Sequence, residues 1–135
     1  MLAVCLLVAG VVRATLPATE FGLAWDHSVE KTRWEERYRI DGNLLELVEA
    51  RVQGMGAGME PPIGAVLQDG WWRWRGDRDK LPELRLTYST FTSDYRVCWN
   101  QRCDDLAVVL GQRPDDGDVV SVQPCDAGVV NRPQQ

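Results

Sequence analysis

The chain contains a single histidine, His27, and lacks every short motif that would give it an obvious task. It has no G-x-S-x-G nucleophile elbow, no H-E-x-x-H pair and no phosphate-binding P-loop. The common hydrolase, metalloprotease and nucleotide-binding signatures are therefore unrepresented. No apolar run approaches the roughly 18 residues of a secure membrane-spanning helix. Helical periodicity is nearly missing, and so is any internal repeat. Nucleic-acid binding needs a clustered basic face, whereas this chain carries a net charge of -5. With 135 residues, 44% of them hydrophobic and 26% charged, there is room for one globular domain with a modest core.

The N-terminus departs from this ordinary composition. Leu2 to Val12 reads LAVCLLVAGVV, an apolar run of signal-peptide length, and Val12-Arg13-Ala14 is a passable small-residue cleavage site. No lysine or arginine precedes the run, and the competing reading is a buried first strand or helix. The expected organisation is a signal peptide or membrane anchor over 1–14, one domain over 15–126 and a flexible polar tail over 127–135. Such a protein is exported to the periplasm.

Cysteine usage agrees with export. Beyond the leader, Cys98, Cys103 and Cys125 remain. The run Cys98-Trp-Asn-Gln-Arg-Cys103 predicts a hairpin around Asn100-Gln101. Cys98 then faces Cys103 at a non-hydrogen-bonded pair, where side chains approach within disulfide reach. Cys125 is left as an odd thiol. A zinc site of three cysteines and His27 is the rival, but no C-x-x-C spacing supports it.

Alternating apolar and polar residues predict strands at 20–28, 33–40, 43–52, 64–68, 71–75, 83–89, 94–99, 103–110 and 118–123. Asp41-Gly42 and Asp69-Gly70 are two-residue hairpin signals. The expected fold is all-β, a small antiparallel sandwich or barrel of about 8–9 short strands. Among six tryptophans, Trp72 and Trp74 share a strand face opposite Trp71. Packing is the plainer use for them; an aromatic surface for a partner, a sugar or a membrane interface is the alternative.

Registering the first three predicted strands places a site. A loop over 29–32 pairs His27 with Trp34, Trp25 with Glu36 and Leu23 with Tyr38, which keeps every apolar residue on one side. The Asp41-Gly42 turn pairs Tyr38 with Leu45, Glu36 with Leu47 and Trp34 with Glu49. His27, Trp34 and Glu49 then form a row across an apolar face, with Glu36 diagonal and Arg51 further along. Such polar groups are costly there unless paired or used. Beside them runs Gln53-GMGAGMEPP-Ile63, where Gly54, Gly56 and Gly58 can bring backbone N–H groups close to a ligand, with Glu60 following. The site suits a small carboxylate held by Arg51 and glycine amides against Trp25 or Trp34. No metal and no cofactor is expected. His27 and Ser28 point to opposite faces of a strand, so they form no nucleophile–base dyad. The enzymatic alternative joins His27 with Glu36 and Glu49, as metal ligands or as acid and base.

The blocks LAWDHSVEKTRWEERYRI, LVEARVQGMGAGMEPP, DGWW, LPELRL and the late Pro124-Cys125 resemble a bacterial family known as domain of unknown function 1850. The resemblance spans about residues 20 to 126 and is carried at His27, Ser28, Glu30, Glu36, Glu49, Gly56, Gly58, Met59 and Glu60. It implies a small exported or membrane-anchored protein, encoded beside tripartite (TRAP) transporters of the TAXI solute-receptor type. It supplies no catalytic residues. The functional expectation is a periplasmic accessory or binding protein. Its partner is the transporter's membrane subunit, the solute receptor or a small carboxylate.

Overall fold

Two antiparallel sheets pack face to face without closing into a barrel, so the all-β sandwich is the fold that forms. The computed structural model describes residues 1–26, 32–54, 62–76 and 80–126. In chain order the elements are β1 (Leu2–Val8), β2 (Val11–Leu16), β3 (Glu20–Asp26), β4 (Arg33–Asp41), β5 (Leu44–Gln53), β6 (Val66–Gln68), β7 (Trp71–Arg75), β8 (Lys80–Leu81), β9 (Leu84–Thr87), β10 (Arg96–Trp99), β11 (Arg102–Asp105), α1 (Leu106–Leu110) and β12 (Val119–Asp126). The smaller sheet runs β2-β1-β12-β9. The larger runs β11-β10-β3-β4-β5-β7-β6, with β8 also on β5. Val4, Leu6, Val120 and Val122 of the smaller sheet meet Phe21, Leu23, Tyr38, Leu45 and Val97 of the larger in one core.

The first departure from expectation is at the N-terminus. Residues 1–14 do not stand apart from the domain but supply β1 and the start of β2. Strand β1 lies between β2 and β12, pairing Leu6 with Ala14 on one side and with Val122 on the other. Ala3, Val4, Cys5 and Leu6 are at most 1% exposed. An apolar run of this length suits a strand buried on both faces as well as it suits a leader. Ala9 and Gly10, at φ 52° and 78°, make the tight turn that folds it back. Cys5 therefore bonds Cys125, with the Cα atoms 5.9 Å apart. Counting Cys5 with a leader is what left Cys125 without a partner on paper. The expected Cys98–Cys103 disulfide is present across Asn100-Gln101. The tail over 127–135 lies outside the described residues.

The predicted strand over 103–110 is the second correction, because it splits into β11 and the short helix α1. Leu106 and Leu110, one helical turn apart, are its buried residues, and Gly111 ends it in the left-handed conformation at φ 75°. A four-residue apolar spacing inside a short run is read equally well as alternation.

Register is the third correction. In β3–β4, Trp25 pairs with Trp34 and Leu23 with Glu36, two residues from the expected pairing. A two-residue slip keeps each side chain on its face. Between β4 and β5 the turn is Gly42-Asn43, so that Asp41 pairs with Leu44 and Tyr38 with Leu47. The register then shifts, and Arg37 pairs with Glu49, leaving Val48 as the extra residue of a β-bulge. The bulge sits where β5 exchanges β8 for β7 as its neighbour. There the Gly76 N–H donates to the Val48 carbonyl at 3.2 Å.

Candidate functional site

The bulge at Val48 divides the predicted site between the two faces of the larger sheet. Glu36 pairs with Ala50 and Trp34 with Val52, all facing the core side. Glu49 and Arg51 pair with Arg37 and Glu35 and face outward. The expected row of His27, Trp34 and Glu49 is thus broken, since Glu49 has turned over. Glu36 and Glu49 face opposite ways and cannot serve one metal ion or one reacting group. His27, Ser28, Glu30, Gly56, Gly58, Met59 and Glu60 lie outside the described residues. Gly54 closes the end of β5, donating its N–H to the Gly70 carbonyl at 2.6 Å. Among the described residues, no three histidine, cysteine or acidic side chains gather as metal ligands.

On the core side, Glu36 accepts a hydrogen bond from the Tyr38 hydroxyl at 2.8 Å. Aromatic rings close off this end of the sandwich. Trp25 stacks on Trp34 at 6.1 Å, Trp34 meets Trp74 edge-on at 6.2 Å, and Tyr95 leans on Trp25 at 5.9 Å. The tryptophans of β7 thus divide as their alternation requires, with Trp74 inward and Trp71 outward. Burial pushes the Glu36 carboxyl above its ordinary value, an effect the Tyr38 bond partly opposes. Burial, and then the charge of Glu36, pushes the Tyr95 hydroxyl up as well. Among the described residues no arginine or lysine bonds Glu36, which makes it a polar packing element rather than half of an ion pair.

The raised Glu36 carboxyl couples the stability of the fold to pH. A carboxyl whose folded-state value is raised binds its proton more tightly folded than unfolded. Its stabilisation is complete below the ordinary value near 4.5 and is lost as pH rises through the raised value. Glu36→Gln keeps an acceptor for Tyr38 and removes the charge. At pH 7.5 this variant is expected to be more stable than wild type by about 1 kcal/mol. Urea titrations at pH 4 and 7.5 check this: the advantage of the variant should vanish at the lower pH. Equal stability at both values would contradict it.

The outward face holds a groove of about 540 Å³. Its floor is β3, where the outward residues Gly22 and Ala24 leave almost no side chain. Arg33 and Arg37 of β4 line one bank, with Arg51 of β5 behind them. Arg96 of β10 and Arg102 of β11 line the other, beside the Cys98–Cys103 disulfide. A protein of net charge -5 thus turns five arginines toward one concavity. Glu20, Glu35, Glu36 and Glu49 also line it, Glu36 from the core-facing side of β4, but Glu35 and Glu49 are engaged by arginines. Arg51 holds Glu35 at 2.7 Å through Nε, and Arg33 approaches the same carboxylate at 3.6 Å. Glu49 is 3.8 Å from Arg73.

The arginines are held in place by more than acids. The Arg51 guanidinium lies 4.0 Å from the centre of the Trp71 ring, and Arg102 lies 4.8 Å from that of Trp99. Such stacking fixes the planar fork while leaving N–H donors free. Arg96 bonds Asp105 at 3.2 Å and the Cys103 carbonyl at 3.4 Å. Arg37 alone among the five has no acid within ion-pair distance among the described residues. The arrangement can bind an anion.

Of the groove's residues, the sequence picks out Glu36, Arg51 and Glu49, placing the last two on the opposite face, and Cys98 and Cys103 for their disulfide. Arg33, Arg37, Arg96 and Arg102 were missed, because alternation marks them only as solvent-facing. A signal for the bulge does exist: the apolar residues Leu45 and Leu47, buried and partly buried, are followed by buried Ala50 and Val52, an odd-to-even change of phase. The family model described as Domain of unknown function (DUF1850) matches residues 21–106. No curated protein and no solved structure matches the chain.

Proposed function

This chain belongs to the DUF1850 family, and we propose that it is a non-enzymatic binding protein whose outward groove takes small carboxylates. The observation that carries the reading is Arg37, a guanidinium with no ion-pair partner among the described residues, beside a floor of Gly22 and Ala24. Arg51 and Arg33 flank it, already oriented by Glu35 and Trp71. Arginine recognises carboxylates through two parallel N–H donors, and a bound carboxylate supplies the anion that Arg37 lacks.

The setting belongs to the same proposal. Two disulfides use all four cysteines, which suits an oxidising compartment such as the periplasm. An exported carboxylate binder fits an accessory role beside a TAXI-type TRAP transport system, docking on its membrane subunit or its solute receptor. Capture of a transporter subunit from a membrane extract supports that placement, and recovery of none counts against docking.

Calorimetric titration of organic acids into the protein at low salt tests the binding itself. Wild type is expected to bind, with affinity falling as salt screens the guanidinium groups. Arg37→Gln should weaken binding at least tenfold while moving the melting temperature by less than about 2 °C, since it breaks no ion pair. A wild type that binds no acid at all, or an unaffected Arg37→Gln variant, would sink the reading.

A further inference from the structure

We propose that the ligand is a dianion, a dicarboxylate of about four to six carbons, that bridges the two banks of the groove across β3. This rests on the anion-binding reading and adds a substrate class to it. The banks are β4 and β10, the two strands that flank β3. At a strand spacing of about 4.8 Å their backbones stand about 10 Å apart. A small monocarboxylate engages one bank only, whereas a dicarboxylate places one group by Arg37 and the other by Arg96.

Both ends are prepared differently. Arg37 has no acid within ion-pair distance among the described residues. Arg96 is anchored by Asp105 and the Cys103 carbonyl through Nη1 and Nη2, and a guanidinium carries five N–H donors in all. Its side chain lines the concavity. Exposed pairs of the Arg96–Asp105 kind are weak and orient a side chain more than they occupy it.

Gly22 supplies the second, independent observation. Its backbone is not left-handed, and a Cβ there would meet the Glu36 carbonyl and Cys98 Cβ at 3.6 and 3.7 Å, ordinary contact distances. Nothing in the fold therefore requires glycine at this position. Gly22 pairs with Arg37 on one side and Cys98 on the other, and the next outward residue, Ala24, pairs with Arg96; these two small residues floor the diagonal from Arg37 to Arg96 that a bridging ligand must cross.

Titration calorimetry with the full chain compares glutarate with pentanoate, which has the same five carbons and one carboxylate. Glutarate is expected to bind at least tenfold more tightly. Arg96→Gln should bring glutarate down to within about twofold of pentanoate. Gly22→Val, a β-favouring residue that fills the trough, should abolish glutarate binding while a cooperative melting transition shows that the variant folds. Equal binding of the two acids by wild type, or a preference for glutarate that survives Arg96→Gln or Gly22→Val, overturns the dianion while leaving the anion groove standing. Failure of every acid to bind removes the groove reading and this inference together.

Discussion

A chain that begins at Thr15 is expected not to fold. The cut removes β1, which lies between two neighbours in its sheet, and most of β2. It deletes Val4 and Leu6, both 0% exposed, each contributing about 1.5–3 kcal/mol by burial. It also deletes Cys5, whose bond to Cys125 spans 120 residues of sequence; closing a loop of that size stabilises by about 4–5 kcal/mol. The ladder partners of β12 are lost as well, from Val120 to Asp126. The burial and cross-link losses alone come to about 7–11 kcal/mol, comparable with the roughly 5–15 kcal/mol that holds an ordinary domain together. Circular dichroism and limited proteolysis of the truncated chain read the result, and a cooperative unfolding transition like that of the full chain contradicts it. The same comparison separates the two readings of LAVCLLVAGVV. Intact-mass analysis of protein from the producing cell should find residues 2–8 present in folded molecules.

Gly76→Ala is expected to destabilise the protein by about 2–4 kcal/mol, a large effect for one added methyl group. A Cβ at Gly76 would stand 1.9 Å from the Leu47 carbonyl oxygen and 3.1 Å from the Leu47 Cβ. The obstacle is backbone, which cannot rotate aside. Relief requires moving the end of β7 away from the bulge, which breaks the Gly76–Val48 hydrogen bond. The pairings of Arg75 with Glu49 and Trp74 with Ala50 come next along the strand. Damage at the bulge should also reach the groove, because the Arg51–Trp71 contact depends on β5 and β7 keeping their register. Denaturant midpoints measure the stability loss, and a change below about 0.5 kcal/mol would show that β7 yields freely.

Much of this protein is readable without coordinates, and the particulars show why. Alternation in Phe21-Leu23-Trp25 and Trp34-Tyr38-Ile40 determines which face of β3 and β4 turns inward, because side chains in a strand alternate with period two whatever the register. Asp69-Gly70 and Asn100-Gln101 mark turns because their backbones must adopt positive φ, as all four do. The Cys98–Cys103 bond follows from that local hairpin. These are short-range properties, written in neighbouring residues.

Register, face at a bulge and the fate of the first strand are long-range properties. Slipping β3 against β4 by two residues preserves every face, so only packing against the rest of the sheet chooses between the registers. LAVCLLVAGVV carries no internal sign of whether it leaves the domain or enters its core; β12, 120 residues away from Cys5 at Cys125, decides that. The turn at Val48 arises because β5 must pair with β8 at one end and β7 at the other, and a single residue absorbs the mismatch. That residue moved Glu49 and Arg51 off the core side. It placed Arg51 beside Arg33 and Arg37, in a groove that no window of the sequence contains. Sequence by itself determined an all-β fold, sandwich or barrel, with an inward and an outward face on each strand. Tertiary structure decided which charged residues share a face, because that depends on how strands distant in the chain are set against one another.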